Sequence, residues 1–271
     1  MLAVTASSSQ GGGVVAPEKM ALARKIAGDI AGGLPSEFNT KEVQKQFPII
    51  YEESMNTVLL MELIRYNRLI AVIRSSLDTL EKTLEGLLMM NSETEDVLSS
   101  LINNQVPQLW RSRAYPSLMN LIAWVEDLKR RIAMFNDWIE NGQPKVFWIS
   151  GFFFTQSFLT GIKQNFARMV HHPIDKVDFE YEVLAEYGKT ERSTSTGCFV
   201  HGLLLEGAGW DVPKAMLVES KPKELVVEMP IVLFKPYKTD EGTETTRKND
   251  KLRRASTFDR GSLSEMCYQY Q

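Results

Sequence analysis

Residues 146–161 have the sequence VFWISGFFFTQSFLTG, and positions 146–154 form the longest apolar run in the chain. The first four residues favour extended structure and lie between Pro144 and Gly151, which predicts a short strand or a buried extended connector. Residues 147–154 are too apolar to remain exposed, so we expect them in the core. The run is also far shorter than the ~20 residues that a membrane helix needs.

A helix is predicted to follow directly, from Thr155 to Met169. Its apolar side chains recur on one side, at Phe158, Leu159, Ile162 and Phe166. Pro173 ends the helical pattern.

The sequence before residue 144 predicts further helices, because apolar residues recur there at spacings of three and four. Ser75-Ser76 is a point where the longest helix could kink or divide. Ser117 is the expected cap of the last helix, with Leu118 and Ile122 in its buried stripe. The predicted spans are 17–31, 40–46 with Asn39 or Thr40 as the cap, about 54–88, 93–103 and 117–140.

Beyond Pro173 the pattern changes to short β-prone runs, which predict a small antiparallel sheet or barrel. These runs are 177–184, 198–205, 216–218, 225–227 and 231–234. The expected fold class is therefore α+β, with a multi-helix region followed by a small antiparallel, β-barrel-like region. We divide the sequence into a flexible linker (1–16), a helical part (17–172), a β-barrel-like part (173–237) and a charged, disordered tail (238–271).

Composition excludes several classes of protein. The chain has 271 residues, 44% of them hydrophobic and 24% charged, which is typical of a globular protein. A net charge of -3 provides no overall basic field, so we expect neither nucleic acid nor a membrane as a partner. Cys198 and Cys267 are too few for a disulfide framework and suit the reducing interior of a cell.

No motif for independent catalysis emerges. The sequence lacks a complete G-x-x-x-x-G-K-[ST] phosphate loop, and we interpret Gly207-Ala208-Gly209 as a plain turn. Cys198 and His201 make at most one poor pair of zinc ligands. We therefore predict no catalytic, cofactor-binding or metal-binding residue in this chain.

Several conspicuous residues have structural interpretations. Trp124, Trp138 and Met89-Met90 are expected to be packing groups rather than ligand platforms. The carboxylates at 52–53 and 93–96 come at the starts of predicted helices, where they favour the positive end of the helix dipole.

Ser256 is a candidate phosphorylation site in the tail. It follows Arg253-Arg254-Ala255, an arrangement that basophilic kinases recognise with acidic pockets. Residues 245–260 carry six basic and two acidic side chains, for a local net charge of +4. Phosphorylation would add roughly -1.5 to -2 charge to that basic segment.

Ordered strings over residues 11–237 resemble the carboxy-terminal region of dynein heavy chains, and the form of the strongest string is closer to axonemal than to cytoplasmic dyneins. That string is VFWISGFFFTQSFLTG at 146–161, followed by QNFAR at 164–168. The others are YEESMNTVL (51–59), ELIRYNRL (62–69), YPSL (115–118), FNDWI (135–139) and EGAGWD (206–211).

The resemblance implies the domain that follows the last of six AAA modules, with helices leading to a small β-barrel that lies against the motor ring. It further implies the AAA ring, dynein intermediate and light chains and microtubules as partners, and a place in the cytoplasm, cytoskeleton and ciliary axoneme. ATP and Mg would bind upstream modules, so we expect no cofactor and no enzymatic activity in this chain alone.

Two departures from the family pattern qualify these expectations. Met169-Val170-His171-His172 replaces a usual Lys or aromatic residue, and the family's final strands are not recognisable after Phe234. An incomplete barrel would expose a strand edge that invites association. The expected function is a docking and modulating domain of a minus-end-directed ciliary motor. The alternative is a truncated paralogue that acts alone as an interaction or regulatory protein.

Overall fold

A computed structural model of the protein describes residues 17–239. The predicted linker (1–16), residues 240–271 and the candidate site Ser256 lie outside the described residues. Within the described part the α+β class is confirmed, since helices precede most of the strands and none of the sheets closes into a barrel.

The helices begin and end close to the predicted positions. The Asn39 side chain caps the second helix by accepting from the backbone N–H of Glu42, and Gly142 ends the sixth with a φ of 86°. The fifth helix is a single turn that periodicity does not predict. The helices are α1 (Pro17–Gly33), α2 (Thr40–Gln46), α3 (Ser54–Leu84), α4 (Ser92–Ile102), α5 (Gln108–Arg111), α6 (Leu121–Asn141) and α7 (Thr155–Met169).

Two expectations about helices were wrong. α3 runs unbroken through Ser75-Ser76, where Ser76 Oγ donates to Ile73 O at 2.8 Å and accepts from Trp110 Nε1 at 2.8 Å. The cap of α6 lies three residues later than predicted, because Asn120 rather than Ser117 caps the helix by accepting from Ala123 N. In both cases a hydroxyl or amide side chain has several possible hydrogen-bond partners, and the sequence pattern does not determine which partner it takes.

The strands form one four-stranded sheet, in the order β1-β3-β8-β2, and the two-stranded sheets β4-β7 and β5-β6. The strands are β1 (Val146–Trp148), β2 (Val177–Val183), β3 (Cys198–His201), β4 (Leu204–Glu206), β5 (Ala208–Asp211), β6 (Met216–Glu219), β7 (Val226–Glu228) and β8 (Val232–Lys238). β1 pairs parallel with β3, so the main sheet is mixed rather than wholly antiparallel.

Three β-region details differ from expectation. The run 198–205 divides at Gly202, whose φ of 80° separates β3 from β4. The supposed turn at 207–209 is a turn only at Gly207, because Ala208 already begins β5. β8 continues past Phe234 through Pro236 to Lys238, which therefore belongs to the sheet and not to the tail. Pro236 is tolerated because β3 pairing ends at Cys198, opposite Phe234, so no β3 partner requires its missing N–H.

The core is built around α3, and its largest fully buried side chains are mostly aromatic. Trp124 and Trp138 are 1% and 2% exposed, which confirms their interpretation as packing groups. One cluster of buried side chains reaches from α1 to β8. The proposed boundary at residue 173 stays a prediction. No helix between residues 17 and 239 is both long enough and apolar enough to cross a membrane.

Candidate docking surface and the segment anchored behind it

The segment 151–154 is held against α3 by two side chains that lie one helical turn apart. Glu62 is fully buried, and its carboxylate accepts hydrogen bonds from the backbone N–H groups of Phe153 and Phe154, the latter at 3.2 Å. Tyr66 Oη donates to Gly151 O at 2.7 Å. An acidic side chain on the apolar stripe of α3 therefore satisfies backbone groups that the sheet does not reach.

Glu62 is buried, and it has both a cation and backbone N–H groups as partners. Burial raises its pKa above the ordinary value of 4.5, although the Phe153 N–H, the Arg65 guanidinium and the Phe154 N–H offset part of that rise. Arg65 Nη1 lies 2.7 Å from Glu62 Oε1, and its guanidinium stands 5.4 Å above the ring of the half-exposed Phe154. The pair therefore extends from the core to the surface.

A second group of polar side chains, on α6, packs against Tyr115 and against Trp148 of β1. Arg131 Nε donates to Asp127 Oδ2 at 2.5 Å, and the guanidinium lies 3.7 Å from the centre of the Tyr115 ring. Arg130 stacks on Trp148 of β1 at 4.1 Å. Burial raises the pKa of Tyr115 well above its ordinary range. Arg131 and Asp127 are buried beside aromatic rings, so their arrangement is suited to fixing geometry rather than to reacting with a substrate.

The junction of α3 and α7 is fixed by polar contacts over more than a hundred residues of sequence. Asn165 Oδ1 accepts from Ser54 N at 2.8 Å, and Asn165 Nδ2 donates to Glu53 Oε1 at 2.6 Å. A Cβ added at Gly161 would stand 3.0 Å from Val58 Cγ2, so glycine permits the close approach of the two helices. α3 and α7 are therefore held in a fixed relative position by polar contacts and close packing.

The loop 87–90, between α3 and α4, is the first exposed apolar surface. Leu87, Leu88, Met89 and Met90 are 69%, 46%, 93% and 43% exposed, so the expectation that Met89-Met90 packs inside was wrong. The loop leaves α3 through Gly86, whose φ is 77°. Its sequence neighbours Glu85, Glu93 and Glu95 are exposed acids. Large apolar side chains with an acidic rim form a surface suited to a partner that is apolar and basic.

The second exposed apolar surface lies at the start of α6. Leu118, Met119 and Ile122 are 96%, 46% and 68% exposed, so the prediction that Leu118 and Ile122 belong to the buried stripe was wrong. The later start of α6 explains the error for Leu118, which lies in the preceding loop. The two patches lie near opposite ends of α4, because residues 87–90 precede that helix and Leu121 N donates to Asn104 O just after it. We call the two separate patches, residues 87–90 and 118–122, together the candidate docking surface.

The residues that sequence analysis weighed for metal or redox chemistry do not converge. Cys198 lies in the core, where burial raises its pKa, whereas His201 contacts Glu228 at 3.9 Å. The two side chains are three positions apart on one strand and so point to opposite faces. Burial also lowers the pKa of His201. Among residues 17–239 no cluster of three or more His, Cys, Asp or Glu side chains could hold a metal ion.

Comparison with known proteins identifies the family. A family profile that describes the C-terminal domain of the dynein heavy chain matches residues 1–256. The protein is 47% identical over 232 residues to "Dynein axonemal heavy chain 1" of Rattus norvegicus, an alignment that covers 85% of the 271 residues and 5% of that relative.

Two further relatives agree. Identity is 45% over 233 residues to "Dynein axonemal heavy chain 3" of Mus musculus, covering 86% of this sequence and 6% of the relative. It is 44% over 212 residues to "Dynein axonemal heavy chain 12" of Homo sapiens, covering 78% and 7%. The protein thus spans a small fraction of the length of these relatives. It belongs to the family of C-terminal domains of dynein heavy chains.

Proposed function

We propose that the protein serves as the C-terminal domain of an axonemal dynein heavy chain, docking on the AAA ring of that motor and modulating its cycle. The observation that carries this proposal is the family match over residues 1–256, together with the three relatives described above, whose names specify axonemal heavy chains. In this role the domain acts in the ciliary axoneme as part of a minus-end-directed microtubule motor. Intermediate chains, light chains and microtubules are then partners of the whole complex.

The structure supports a mechanical role in two ways. The two separate patches of the candidate docking surface, residues 87–90 and 118–122, each expose large apolar side chains of the kind that a partner covers. α3, which leads into residues 87–90, is connected to the segment 151–154 and to α7 through buried and partly buried hydrogen bonds. A force applied at the docking surface is therefore transmitted through well-packed helices, which deform little.

ATP hydrolysis is assigned to the upstream modules of the motor, with no catalytic step in this chain. The acids and the histidine with defined contacts have structural partners: Glu53 caps α3, Glu62 pairs with Arg65, and His201 contacts Glu228. The purified protein is expected to hydrolyse no Mg-ATP above the buffer rate. Turnover that follows the protein through purification would contradict the assignment.

A binding measurement tests the docking itself. The AAA ring of mouse axonemal heavy chain 3, produced without its own C-terminal domain, is titrated with the 271-residue protein while its ATPase rate is recorded. We expect saturable binding and a changed rate. The double variant Leu87→Ser/Met89→Ser should bind about tenfold more weakly or worse, since two apolar side chains no longer become buried.

The matched control is Leu225→Ser, because Leu225 is 80% exposed but lies just before β7, outside the candidate docking surface. An equal loss in the control and the double variant would contradict docking through 87–90. A wild-type protein that does not bind the ring would contradict the proposed function. Native transcripts that start at Met1 and stop after Gln271 would instead favour the stand-alone interaction protein.

A further inference from the structure

The connection between β2 and β3 has a composition that ring docking does not explain. Residues 189–197 have the sequence KTERSTSTG, with four hydroxyl side chains in succession after Arg192. The connection is anchored at its middle, because Thr190 is 7% exposed and its Oγ1 accepts from Arg192 N. Beyond that anchor, Ser193, Thr194 and Ser195 are exposed.

These hydroxyl residues form one wall of a groove of about 330 Å³ on the outer face of the main sheet. Phe199 of β3 and Leu233 of β8 lie among its lining residues. Arg192 and Lys235 also line the groove, together with the acid Glu182. Two cations and a run of hydroxyl groups therefore face the same space.

Arg192 makes two long ion pairs with exposed carboxylates. Its guanidinium lies 3.6 Å from Glu182 Oε1 and 3.5 Å from Glu186 Oε1, and all three side chains are substantially exposed. Ion pairs of this kind contribute little to stability, so the guanidinium can be drawn to a stronger acceptor. A phosphate group is such an acceptor, since it offers up to two negative charges and three oxygens.

We propose that Ser195 is a phosphorylation site for an arginine-directed protein kinase, and that Arg192 and Lys235 bind the resulting phosphate. Arg192 precedes Ser195 by three residues, so a kinase with an acidic pocket can bind the guanidinium while the hydroxyl enters its active site. The γ-phosphoryl group of ATP is transferred to Ser195 Oγ, the bond to the ADP oxygen breaks, and the hydroxyl proton passes to the catalytic base of the kinase. The products are phosphoserine and ADP.

The phosphate then occupies the groove between the loop and the sheet. Arg192 exchanges Glu182 and Glu186 for the doubly charged phosphate, and Lys235 of β8 binds the same phosphate. The negative charges of Glu182 and Glu186 oppose the phosphate, so both cations are needed to hold it. Phosphorylation thereby fastens the loop to the outer face of the sheet, a change that does not depend on docking to the ring.

Phosphate incorporation tests the site. The 271-residue protein is incubated with Mg-ATP and the catalytic subunit of cAMP-dependent protein kinase, whose activity is verified on a standard peptide, and phosphate is located by mass spectrometry. We expect phosphoserine at 195, with an initial rate that falls about tenfold or more in Arg192→Ala as the charge pattern is lost. Lys214→Ala removes an exposed cation that is remote from Ser195 in sequence and does not line the groove, so this variant should be phosphorylated at the wild-type rate. An active kinase that leaves Ser195 unmodified overturns the proposal.

A ³¹P NMR titration of the phosphorylated protein tests the binding of the phosphate. Contact with Arg192 and Lys235 should move the second pKa of the phosphoserine at 195 below the value of about 6 that phosphate monoesters ordinarily show. Lys235→Ala should return that pKa toward the value measured in urea. A midpoint that is the same in the folded wild-type protein and in urea would overturn the role of the two cations. Because neither measurement involves the ring, failure here leaves the proposed function untouched, and the reverse also holds.

Discussion

Two short apolar segments lie at opposite extremes of burial in this protein. Residues 147–152 follow α6 and lie largely in the core, with Phe152 fully buried, whereas residues 87–90 follow α3 and project into solvent. Both consist largely of big apolar side chains. They differ in what their backbones find nearby. Residues 146–148 pair with β3, Tyr66 of α3 donates to Gly151 O, and Glu62 accepts from the two N–H groups that directly follow the segment, at residues 153–154. Apolar composition alone therefore does not determine burial, because a segment enters the core only where its polar backbone groups are also satisfied.

The largest effect on the free energy of unfolding should come from removing the buried ring of Phe152. Phe152→Ala removes a fully buried ring that packs 4.6 Å from Phe158 and 5.7 Å from Phe135, centre to centre. We expect the free energy of unfolding to fall by about 3–5 kcal/mol, measured by urea denaturation. The control Phe154→Ala, at a position 46% exposed in the same segment, should lose far less. Equal losses would mean that burial of the segment is not the source of its contribution.

The next effect concerns the carboxylate that holds the segment. Glu62→Ala leaves the N–H groups of Phe153 and Phe154 without their acceptor, and we expect a loss of about 2–3 kcal/mol by the same measurement. Glu62→Gln keeps an oxygen acceptor and should lose less. If Glu62→Ala loses under about 1 kcal/mol, the backbone bonds are not what separates this segment from residues 87–90.

The Glu62→Gln variant also allows the contribution of Glu62 to stability to be measured as a function of pH. Because burial raises the pKa of Glu62 in the folded state, the folded protein binds that proton more tightly than the unfolded chain does. The contribution of Glu62 to stability is therefore fully present below the ordinary value of 4.5 and declines as pH rises toward the folded pKa. The unfolding free energy of wild type minus that of Glu62→Gln should decrease between pH 4.5 and neutrality. An increase over that range would contradict the raised pKa.

The smallest effect should come from the exposed segment. Met89→Ser removes a side chain that is 93% exposed, so the free energy of unfolding should change by no more than about 0.5 kcal/mol. The matched control is Met55→Ser on α3, where the side chain is 2% exposed and should lose several times more. Large destabilisation by Met89→Ser would show that loop 87–90 packs against the domain in solution.

The predictable parts of the fold are those governed by local chemistry. The bounds of α2 follow from its Asn39 cap, those of α7 from periodicity, and the short strand at 146–148 from its β-favouring residues. The start of α6 was misplaced because Ser117 and Asn120 are both good caps, and only tertiary structure selects Asn120. The single-turn α5 is too short for any period to register.

The candidate docking surface was less predictable, since a run of Leu and Met looks the same whether it is buried or exposed. Glu62 carried a usable signal that sequence analysis passed over. It lies on the same helical face as Leu59, Leu63 and Tyr66, and an acid within an apolar stripe indicates a buried polar contact. The groove beside Ser195 depends on β8, β2 and β3 meeting in one sheet, which short-range patterns do not encode.

The parallel pairing of β1 with β3 has a consequence for synthesis of the protein. Val146 pairs with Phe199, which the ribosome adds 53 residues later, a delay of about 3–10 s at usual rates of translation. The residues that form α3 and α6 are made earlier and can shelter Phe147 and Ile149 during that wait. The edge of β1 meanwhile offers its hydrogen-bonding groups to any extended peptide nearby. Completion of this sheet is therefore a late step, and the interval before it is when the nascent polypeptide is most vulnerable to misassembly.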